Sequence, residues 1–462
     1  MYIKELTMQR EKLGSRLGFI LLSAGCAIGV GNVYRFPYMV GQNGGGIFVL
    51  IYLFFLIALG IPVMTMEFAT GRAAQKSPVH IHRVLEPKGT KWHIHGYAAL
   101  AGNILLMMFY TTISGQMLCY FWKSLTGAFE GLDAVQIAES NKAMLADPAT
   151  QIIFMGIIVV LGFLICSFSL QGGLERFSKI MMTALIIIMI VMVANSFFLD
   201  GVKEGLKFYL VPSFERMKEA GAVQVISNAM NQSFFTLSTG IGSMAIFGSY
   251  INKDRALFGE SINVAALDTT VAFMAGLIIF PACFTYGVKP DSGMNLIFLT
   301  LPNVFNQMPL GRLWGTLFFL LMTFAAFSTI IAVFENIIAC IRDLTDWSRK
   351  KTAIIGCVVM FVLSLPAALS ANLLSGLTVA GKDIMWFEDF LVSNILLPLG
   401  SLAFVLFCTL RYGWGWDNFV AEANTGKGAK IQKWMRVYMT FVLPLLTLAV
   451  FAVNMYNIFF AA

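Results

Sequence analysis

The chain has 462 residues, of which 58% are hydrophobic and 12% are charged, and its mean hydropathy is +0.76. A soluble protein would carry roughly a quarter charged residues, so the composition excludes a soluble globular class. Runs of about twenty apolar residues separated by short polar loops are typical of a polytopic membrane protein. We therefore predict an all-α integral membrane protein with one membrane domain over residues 1–462.

The apolar runs predict eleven spans. We place them at 15–38, 44–71, 95–123, 151–170, 174–199, 222–249, 257–287, 309–344, 350–371, 385–411 and 435–460. Residues 290–308 are too short and too broken to span, so we expect a folded extracellular loop there. We expect no cleavable signal, because no small-residue cleavage site follows a short apolar region at the N-terminus.

The net charge of +7 does not indicate nucleic-acid binding, because basic and acidic loops alternate along the chain as they do on the two sides of a membrane. The loop 72–91 is basic and the loop 124–150 is acidic. Basic loops face the cytoplasm, so we expect a cytoplasmic N-terminus in the plasma (inner) membrane, with lipid as the surrounding partner. An odd number of spans then puts the C-terminus on the extracellular or periplasmic side. The seven cysteines lie in apolar segments without metal-ligand spacing, which predicts neither a disulfide nor a metal site.

Two spans carry glycine pairs and polar residues near their centres. The first contains CAIGVGNVYRFP, residues 26–37, and the sixth contains NQSFFTLSTGIGS, residues 231–243. Irregular backbone at membrane depth is tolerated only where it lines a cavity or is buried in protein, and matching broken helices are typical of a transporter binding site. Their positions predict two five-span repeats of opposite topology, 15–199 and 222–411, followed by a last span at 435–460. The alternative is two glycine-rich helices that only pack closely.

Asp268 is the sharpest single residue in the sequence. It lies in NVAALDTTVAFMAG, inside the seventh predicted span, which contains no Lys or Arg. An ionisable residue inside a membrane is costly and is a functional candidate by default. The alternatives are an aspartate paired with a buried base from elsewhere, or a carboxyl group that takes up a proton.

Three stretches of the sequence resemble the neurotransmitter:sodium symporter family. They are RLGFILLSAGCAIGVGNVYRFPYMVGQNGGGIF at 16–48, FFTLSTGIGSMAIFGSY at 234–250 and DFLVSNILLPLGSL at 389–402. The resemblance implies the inverted-repeat fold of the bacterial leucine transporter, with helices 1 and 6 unwound, and sodium-driven uptake of amino acids or related amines. The sequence carries no catalytic motif, so we do not expect an enzyme. A substrate sensor or channel on this scaffold, or a proton-coupled transporter of the same fold, remains the alternative.

The resemblance also implies a substrate site. The amides of Val30 and Gly31 and the hydroxyl of Tyr110 would hold a carboxylate, although Tyr110 alone could be an ordinary buried tyrosine. The wall is mostly apolar and carries no charge, which favours a neutral, hydrophobic L-amino acid, aliphatic or aromatic. The other substrate-binding residues would be Ala27, Leu106, Phe235, Thr236, Ser238, Ile241, Thr329 and Val333.

Two co-transported sodium ions are implied in the same way. The first would bind the Ala27 carbonyl and the side chains of Asn32, Thr236 and Asp268, and the second the carbonyls of Gly25, Ile28 and Ala325 and the hydroxyls of Ser328 and Thr329. Taken alone, Ser and Thr in spanning helices usually bond to their own backbone. The family commonly has asparagine at the position of Asp268, and its chloride-dependent members have a serine where Ala272 stands. We infer that Asp268 supplies the negative charge that chloride provides elsewhere, and we predict no chloride requirement.

Two gates complete the resemblance. The extracellular pair would be Arg35 and Asp389, and the cytoplasmic pair Arg10 and Asp343, supported by Tyr250. Exposed ion pairs contribute only about 0–1 kcal/mol, so they can break in each cycle. Arg35 alone could also extend to the lipid headgroups. A family glutamine is replaced by Glu335, which belongs either to the cytoplasmic network or to a proton site.

Overall fold

The structure is a computed structural model that describes residues 11–288, 296–379 and 381–460. Over these ranges the chain is helical, with two isolated β-bridges and no strand. Nine of the described helices are long and apolar enough to cross a membrane, and a tenth is added if one bent pair counts as a single span. The all-helical membrane class is therefore confirmed. The count of eleven stays a prediction, because the sixth predicted span consists of two shorter helices.

The first half of the described chain contains ten helices. They are α1 (Arg16–Ala27), α2 (Gly31–Gln42), α3 (Gly46–Ala74), α4 (Pro78–Leu85), α5 (His93–Leu125), α6 (Ala134–Ala146), α7 (Pro148–Ser167), α8 (Leu170–Ser196), α9 (Val202–Leu210) and α10 (Phe214–Glu219).

The second half contains nine more. They are α11 (Ala222–Thr236), α12 (Ser243–Gly248), α13 (Leu257–Thr285), α14 (Leu301–Gln307), α15 (Gly311–Thr345), α16 (Arg349–Leu369), α17 (Ile384–Thr409), α18 (Trp416–Ala423) and α19 (Met435–Tyr456). Helix α14 lies in the predicted loop 290–308, of which residues 290–295 fall outside the described ranges.

The first predicted span is interrupted between α1 and α2. Helix α1 ends at Ala27, Ile28 is extended with φ −72° and ψ 94°, and the two helices are bent by 53°. Gly29 follows, and a side chain there would have no room. An ideal Cβ at Gly29 would stand 2.3 Å from the Tyr110 hydroxyl oxygen and 2.4 Å from Thr329 Oγ1. The glycine therefore lets the backbone approach α5 and α15 closely.

The sixth predicted span is interrupted over residues 237–242, between α11 and α12. Three residues here adopt left-handed backbone, namely Ser238 (φ 50°), Gly240 (φ 106°) and Gly242 (φ 72°). Such conformations are costly for residues other than glycine, and Ser238 offsets part of that cost by donating to the Cys26 carbonyl at 3.3 Å. A Cβ at Gly240 would lie 2.2 Å from the Leu397 carbonyl oxygen of α17. The two interruptions thus face each other, with α5, α13, α15 and α17 packed around them.

Candidate substrate and sodium site

A small cavity lies between the two interrupted helices. Every side chain that lines it is uncharged, and its polar groups are hydroxyls, one thiol and backbone. Its lining residues are Cys26, Ala27, Gly29, Gly31, Leu106, Tyr110, Phe235, Ser238, Ile241, Thr329 and Leu397.

The structure brings most of the predicted substrate residues to this cavity. Ala27, Gly31, Leu106, Tyr110, Phe235, Ser238, Ile241 and Thr329 all line it. Val333 does not line it in the described structure; it lies one helical turn beyond Thr329 on α15 and is fully buried in the core. Thr236 is buried beside Asp268, and Val30 lines a neighbouring cavity. Cys26, Gly29 and Leu397 complete the cavity wall, and the sequence did not predict them there.

Tyr110 is positioned by the first interruption. Its hydroxyl oxygen accepts a hydrogen bond of 2.8 Å from the Val30 backbone N–H, which no longer has a helical partner. Tyr110 lines the cavity, so its hydroxyl can donate to a ligand there while its oxygen accepts from Val30. A hydroxyl donor beside a helix N-terminus suits a carboxylate.

Asp268 is fully buried on α13 and faces the two interruptions. Asn32 Nδ2 donates to its Oδ1 at 2.7 Å and to its backbone carbonyl at 3.1 Å, and Thr236 Oγ1 donates to its Oδ2 at 3.1 Å. The described side chains that touch this carboxylate are therefore neutral donors, and no described cation pairs with it. The structure thus brings together the three predicted side-chain ligands of the first sodium ion, with Ala27 in the adjoining cavity wall.

The five predicted ligands of the second sodium ion also converge. Ser328 Oγ donates to the Ile28 carbonyl at 3.1 Å and to the Ala325 carbonyl at 2.8 Å. Thr329 Oγ1 lies 3.4 Å from the Gly25 carbonyl and 3.5 Å from that of Ile28. Only the bond from Ser328 to Ala325 is the usual one from a helical side chain to its own backbone three residues earlier. The others join α15 to the end of α1, so the oxygens form a compact cluster of the kind a hard cation prefers.

A second, larger cavity adjoins the first. Tyr110 and Phe235 line both cavities and so form the wall between them. The Arg35 guanidinium carbon stands 4.3 Å from the centre of the Phe235 ring, a cation–π contact. Arg35 and Asp389 both line the second cavity, and Ser393 bridges them by accepting from Arg35 at 3.4 Å and donating to Asp389 at 2.6 Å. The predicted extracellular pair is thus joined through a serine.

Of the predicted cytoplasmic pair, only Asp343 belongs to the described residues, and Arg10 lies outside them. Asp343 accepts from the Ser77 backbone N–H at 2.8 Å. The Tyr250 hydroxyl donates to Glu335 at 2.8 Å, and its carbonyl accepts from the Leu13 N–H at 3.2 Å.

Glu335 belongs to the same network. The Arg349 guanidinium pairs with both oxygens of this carboxylate, one of them at 3.1 Å. Glu11 lies 3.7 Å from Arg342 and 3.9 Å from Arg349. These contacts hold Glu11, the first described residue, against α15 and α16.

Glu67 and Asn103 were not singled out in the sequence. Glu67 is fully buried on α3, and its carboxylate accepts the backbone N–H groups of Gly240 and Met244 across the second interruption. Asn103 Nδ2 donates to the Ile241 carbonyl at 2.7 Å. Both residues replace helical hydrogen bonds that the interruption removes. A charged or amide side chain in an apolar span was the signal available for finding them.

The sequence pattern of the Sodium:neurotransmitter symporter family matches residues 10–134 and 143–460. The chain belongs to this family. It is therefore a multi-pass membrane symporter that moves a small molecule together with sodium, and not an enzyme.

Individual relatives agree with this assignment. The uncharacterized sodium-dependent transporter YhdH of Bacillus subtilis (strain 168) is 34% identical over 444 residues, covering 95% of this chain and 96% of the relative. An uncharacterized sodium-dependent transporter of Haemophilus influenzae is 31% identical, with 97% and 99% covered. The crystal structure of MhsT in complex with L-phenylalanine is similar at a TM-score of 0.86 and 35% identity, over 96% of this chain and 99% of that one. This likeness confirms the predicted fold class.

Proposed function

We propose that this symporter imports neutral, hydrophobic L-amino acids together with two sodium ions and does not require chloride. The observation that carries the proposal is the uncharged cavity between the two interrupted helices, with the Tyr110 hydroxyl beside the start of α2 at one side. The amino acid would direct its carboxylate to that side and its side chain toward Leu106, Ile241 and Leu397. MhsT, solved with L-phenylalanine, supports an amino acid of this kind.

The absence of a charged side chain from the cavity lining favours a neutral substrate. A lysine or glutamate substrate would bury a charge without a partner, which costs several kcal/mol, on the order of what a buried ion loses in proteins. An apolar wall discriminates weakly, by about 1–3 kcal/mol per methylene group. We therefore expect several aliphatic and aromatic amino acids to bind.

Sodium binding is supported by the two oxygen clusters at Asp268 and at Ser328–Thr329. Two sodium ions and a zwitterionic amino acid carry a net charge of +2. The Asp268 carboxylate, held by neutral donors, lowers that charge to +1 at the first sodium ion, so it fills the role that a bound chloride ion would otherwise have.

We also infer the transport cycle from the placement of charges. The repeats 15–199 and 222–411 would move relative to each other around the site, with the N-terminus in the cytoplasm and residues 435–460 outside the repeats. Arg35, Ser393 and Asp389 would gate the extracellular side. The network around Glu335, Arg349 and Tyr250 would close the cytoplasmic side together with Asp343 and Arg10.

The test is equilibrium binding of the twenty L-amino acids to purified protein in NaCl and in choline chloride. We expect hydrophobic amino acids to bind in NaCl only. Tyr110→Phe removes the hydroxyl and keeps the ring, and we expect it to weaken binding about tenfold, since a hydrogen bond to a charged group contributes about 1.5–3 kcal/mol. Tyr120→Phe is the matched control, because Tyr120 lies on the same helix and its hydroxyl contacts Asn141 and Phe298.

Three results would contradict the proposal. Binding that persists in choline would remove the sodium assignment and favour proton coupling. Selective binding of charged amino acids would contradict the substrate class. An equal loss in Tyr110→Phe and Tyr120→Phe would remove the carboxylate role of Tyr110.

A further inference from the structure

Gly102 lies on α5 directly behind the wall of the candidate substrate cavity. It is buried, and among the described residues it is not part of the cavity lining. An ideal Cβ at Gly102 would stand 2.8 Å from Ile241 Cγ2, 3.6 Å from Ile241 Cβ and 3.5 Å from Leu396 Cδ1. Because real Cβ atoms almost never come within 3.0 Å of another atom, a side chain at position 102 would displace Ile241.

The backbone of Ile241 is fixed to α5 by Asn103, the residue after Gly102. Asn103 Nδ2 donates to the carbonyls of Ile241 and Ala99, both at 2.7 Å. Its Oδ1 accepts from Ser243 Oγ at 3.2 Å and from Asn336 Nδ2 at 3.1 Å. Both hydrogens and both lone pairs of this buried amide are therefore used, and moving the Ile241 carbonyl would leave polar groups unpaired.

The backbone of Ile241 is also held on its other side, at Gly240. The Gly240 N–H donates to the buried Glu67 carboxylate. An ideal Cβ at Gly240 would stand 2.2 Å from the Leu397 carbonyl oxygen, so this backbone already lies against α17. A methyl group at position 102 would consequently move the side chain of Ile241 and not its backbone.

The space open to the Ile241 side chain is the cavity that it lines. Protein interiors are close-packed, so a displaced side chain moves into the nearest open space. Leu106 and Leu397 line the cavity together with Ile241, and Leu106 follows Gly102 by one turn on the same face of α5. A methyl group at position 102 would therefore reduce the room for the substrate side chain.

We propose that Gly102 is a positioning residue that sets the largest substrate side chain the cavity accepts, because its missing Cβ lets Ile241 lie back against α5. This inference rests on the proposed function, since it takes the cavity to be the substrate site. It assigns the size limit to a residue behind the cavity wall. The substrates that depend on Gly102 are the bulky neutral amino acids, whereas small ones leave this part of the cavity unfilled.

The experiment measures equilibrium binding of the twenty L-amino acids in NaCl to the full chain with and without Gly102→Ala. The readout is the ratio of the affinities for the largest and the smallest amino acid that the wild type binds. We expect Gly102→Ala to weaken binding of the largest at least about tenfold, since one methylene in an apolar pocket changes specificity by about 10–200-fold. Binding of the smallest should stay within about twofold. A general loss of stability would not change this ratio.

Two further variants serve as controls. Gly156→Ala is the matched control, because Gly156 is a buried glycine of α7 whose Cβ would stand 2.9 Å from the Phe361 ring, and neither residue lines the cavity. Its affinity ratio should equal that of the wild type. Ile241→Ala removes Cγ2, the atom that a Cβ at position 102 would meet, and leaves only contacts of 3.5 and 3.6 Å. Adding Gly102→Ala to Ile241→Ala should therefore change no affinity by more than about twofold.

Each outcome has one meaning. Wild-type protein that binds no neutral amino acid overturns the proposed function, and this inference with it. Wild-type binding with an unchanged ratio in Gly102→Ala, or with an equal change in Gly156→Ala, overturns this inference alone. A weakening by Gly102→Ala that persists beside Ile241→Ala also overturns it, because the effect then bypasses Ile241. If Gly102→Ala alone does not fold, the double variant decides: it should fold and bind as Ile241→Ala does, and its failure to fold overturns the inference.

Discussion

Asp268 and Glu335 are both fully buried carboxylates in apolar helices, yet their surroundings are opposite. Glu335 on α15 is matched by the Arg349 guanidinium and by the Tyr250 hydroxyl. Asp268 on α13 receives hydrogen bonds only from neutral groups among the described residues, Asn32 and Thr236. A carboxylate with a cationic partner forms an ion pair that joins two helices, whereas a carboxylate without such a partner can bind a cation reversibly. This difference distinguishes the proposed sodium site at Asp268 from the proposed cytoplasmic gate at Glu335.

The largest effect is expected from Asp268→Asn. A unit charge 4 Å from a cation contributes about 4 kcal/mol at an effective dielectric constant of 20, so chloride-free transport should fall by about three orders of magnitude. Adding chloride should restore part of the rate, because the anion can supply the negative charge that the substitution removes. The measurement is uptake by proteoliposomes in sodium gluconate and in NaCl.

The control for this variant is Glu260→Gln. Glu260 lies on the same helix and pairs with Arg16, away from the cavity. We expect its sodium dependence to match the wild type. Full chloride-free transport by Asp268→Asn would show that the carboxylate is not the charge that sodium needs.

A smaller effect, on stability, is expected from Glu335→Gln. Removing one partner of a buried ion pair leaves Arg349 uncompensated and should lower the free energy of unfolding by about 3 kcal/mol. Glu335→Gln combined with Arg349→Gln should recover most of that loss, as measured by denaturant unfolding in detergent. If Glu335→Gln keeps its stability but shifts the pH dependence of transport, Glu335 is a proton site and the contrast with Asp268 fails.

The smallest effect is expected from Ser393→Ala. The substitution cuts the bridge between Arg35 and Asp389 by removing a partly buried hydrogen bond to each. The contact with Arg35 is long, at 3.4 Å, so the total loss is about 0.5–1.5 kcal/mol. Substrate dissociation should accelerate by a few fold, as followed by stopped-flow release. Ser401→Ala, on the same helix, is the control because its buried hydroxyl has no partner in the described part of the chain. Equal release rates for both variants would place the gate elsewhere.

Much of this arrangement could be predicted from the sequence, because its signals are local. Glycine pairs inside apolar runs indicated both interruptions, and a charged residue in a span indicated Asp268. The resemblance then supplied the oxygen ligands of α1 and α15, which the structure brings within about hydrogen-bonding distance.

The remaining features depend on contacts between distant parts of the chain. Leu397 enters the cavity wall because α17 packs directly on Gly240, where no Cβ would fit. Glu67 stands 173 residues from its partner Gly240. Val333 lies one helical turn beyond the cavity on α15. Its place in the sequence shows that it shares a helix face with Thr329, but it does not show how far along that face the cavity wall extends. Ser393 stands between Arg35 and Asp389, a bridge that the spacing of two charges cannot reveal.

The role proposed for Asp268 is to provide the negative charge that makes sodium binding possible without chloride. Its most direct test is amino-acid uptake by wild-type proteoliposomes under an inward sodium gradient, with NaCl outside in one sample and sodium gluconate in the other. We expect initial rates that agree within about twofold, because a fixed carboxylate replaces the mobile anion. Uptake that collapses in gluconate would contradict the role assigned to Asp268.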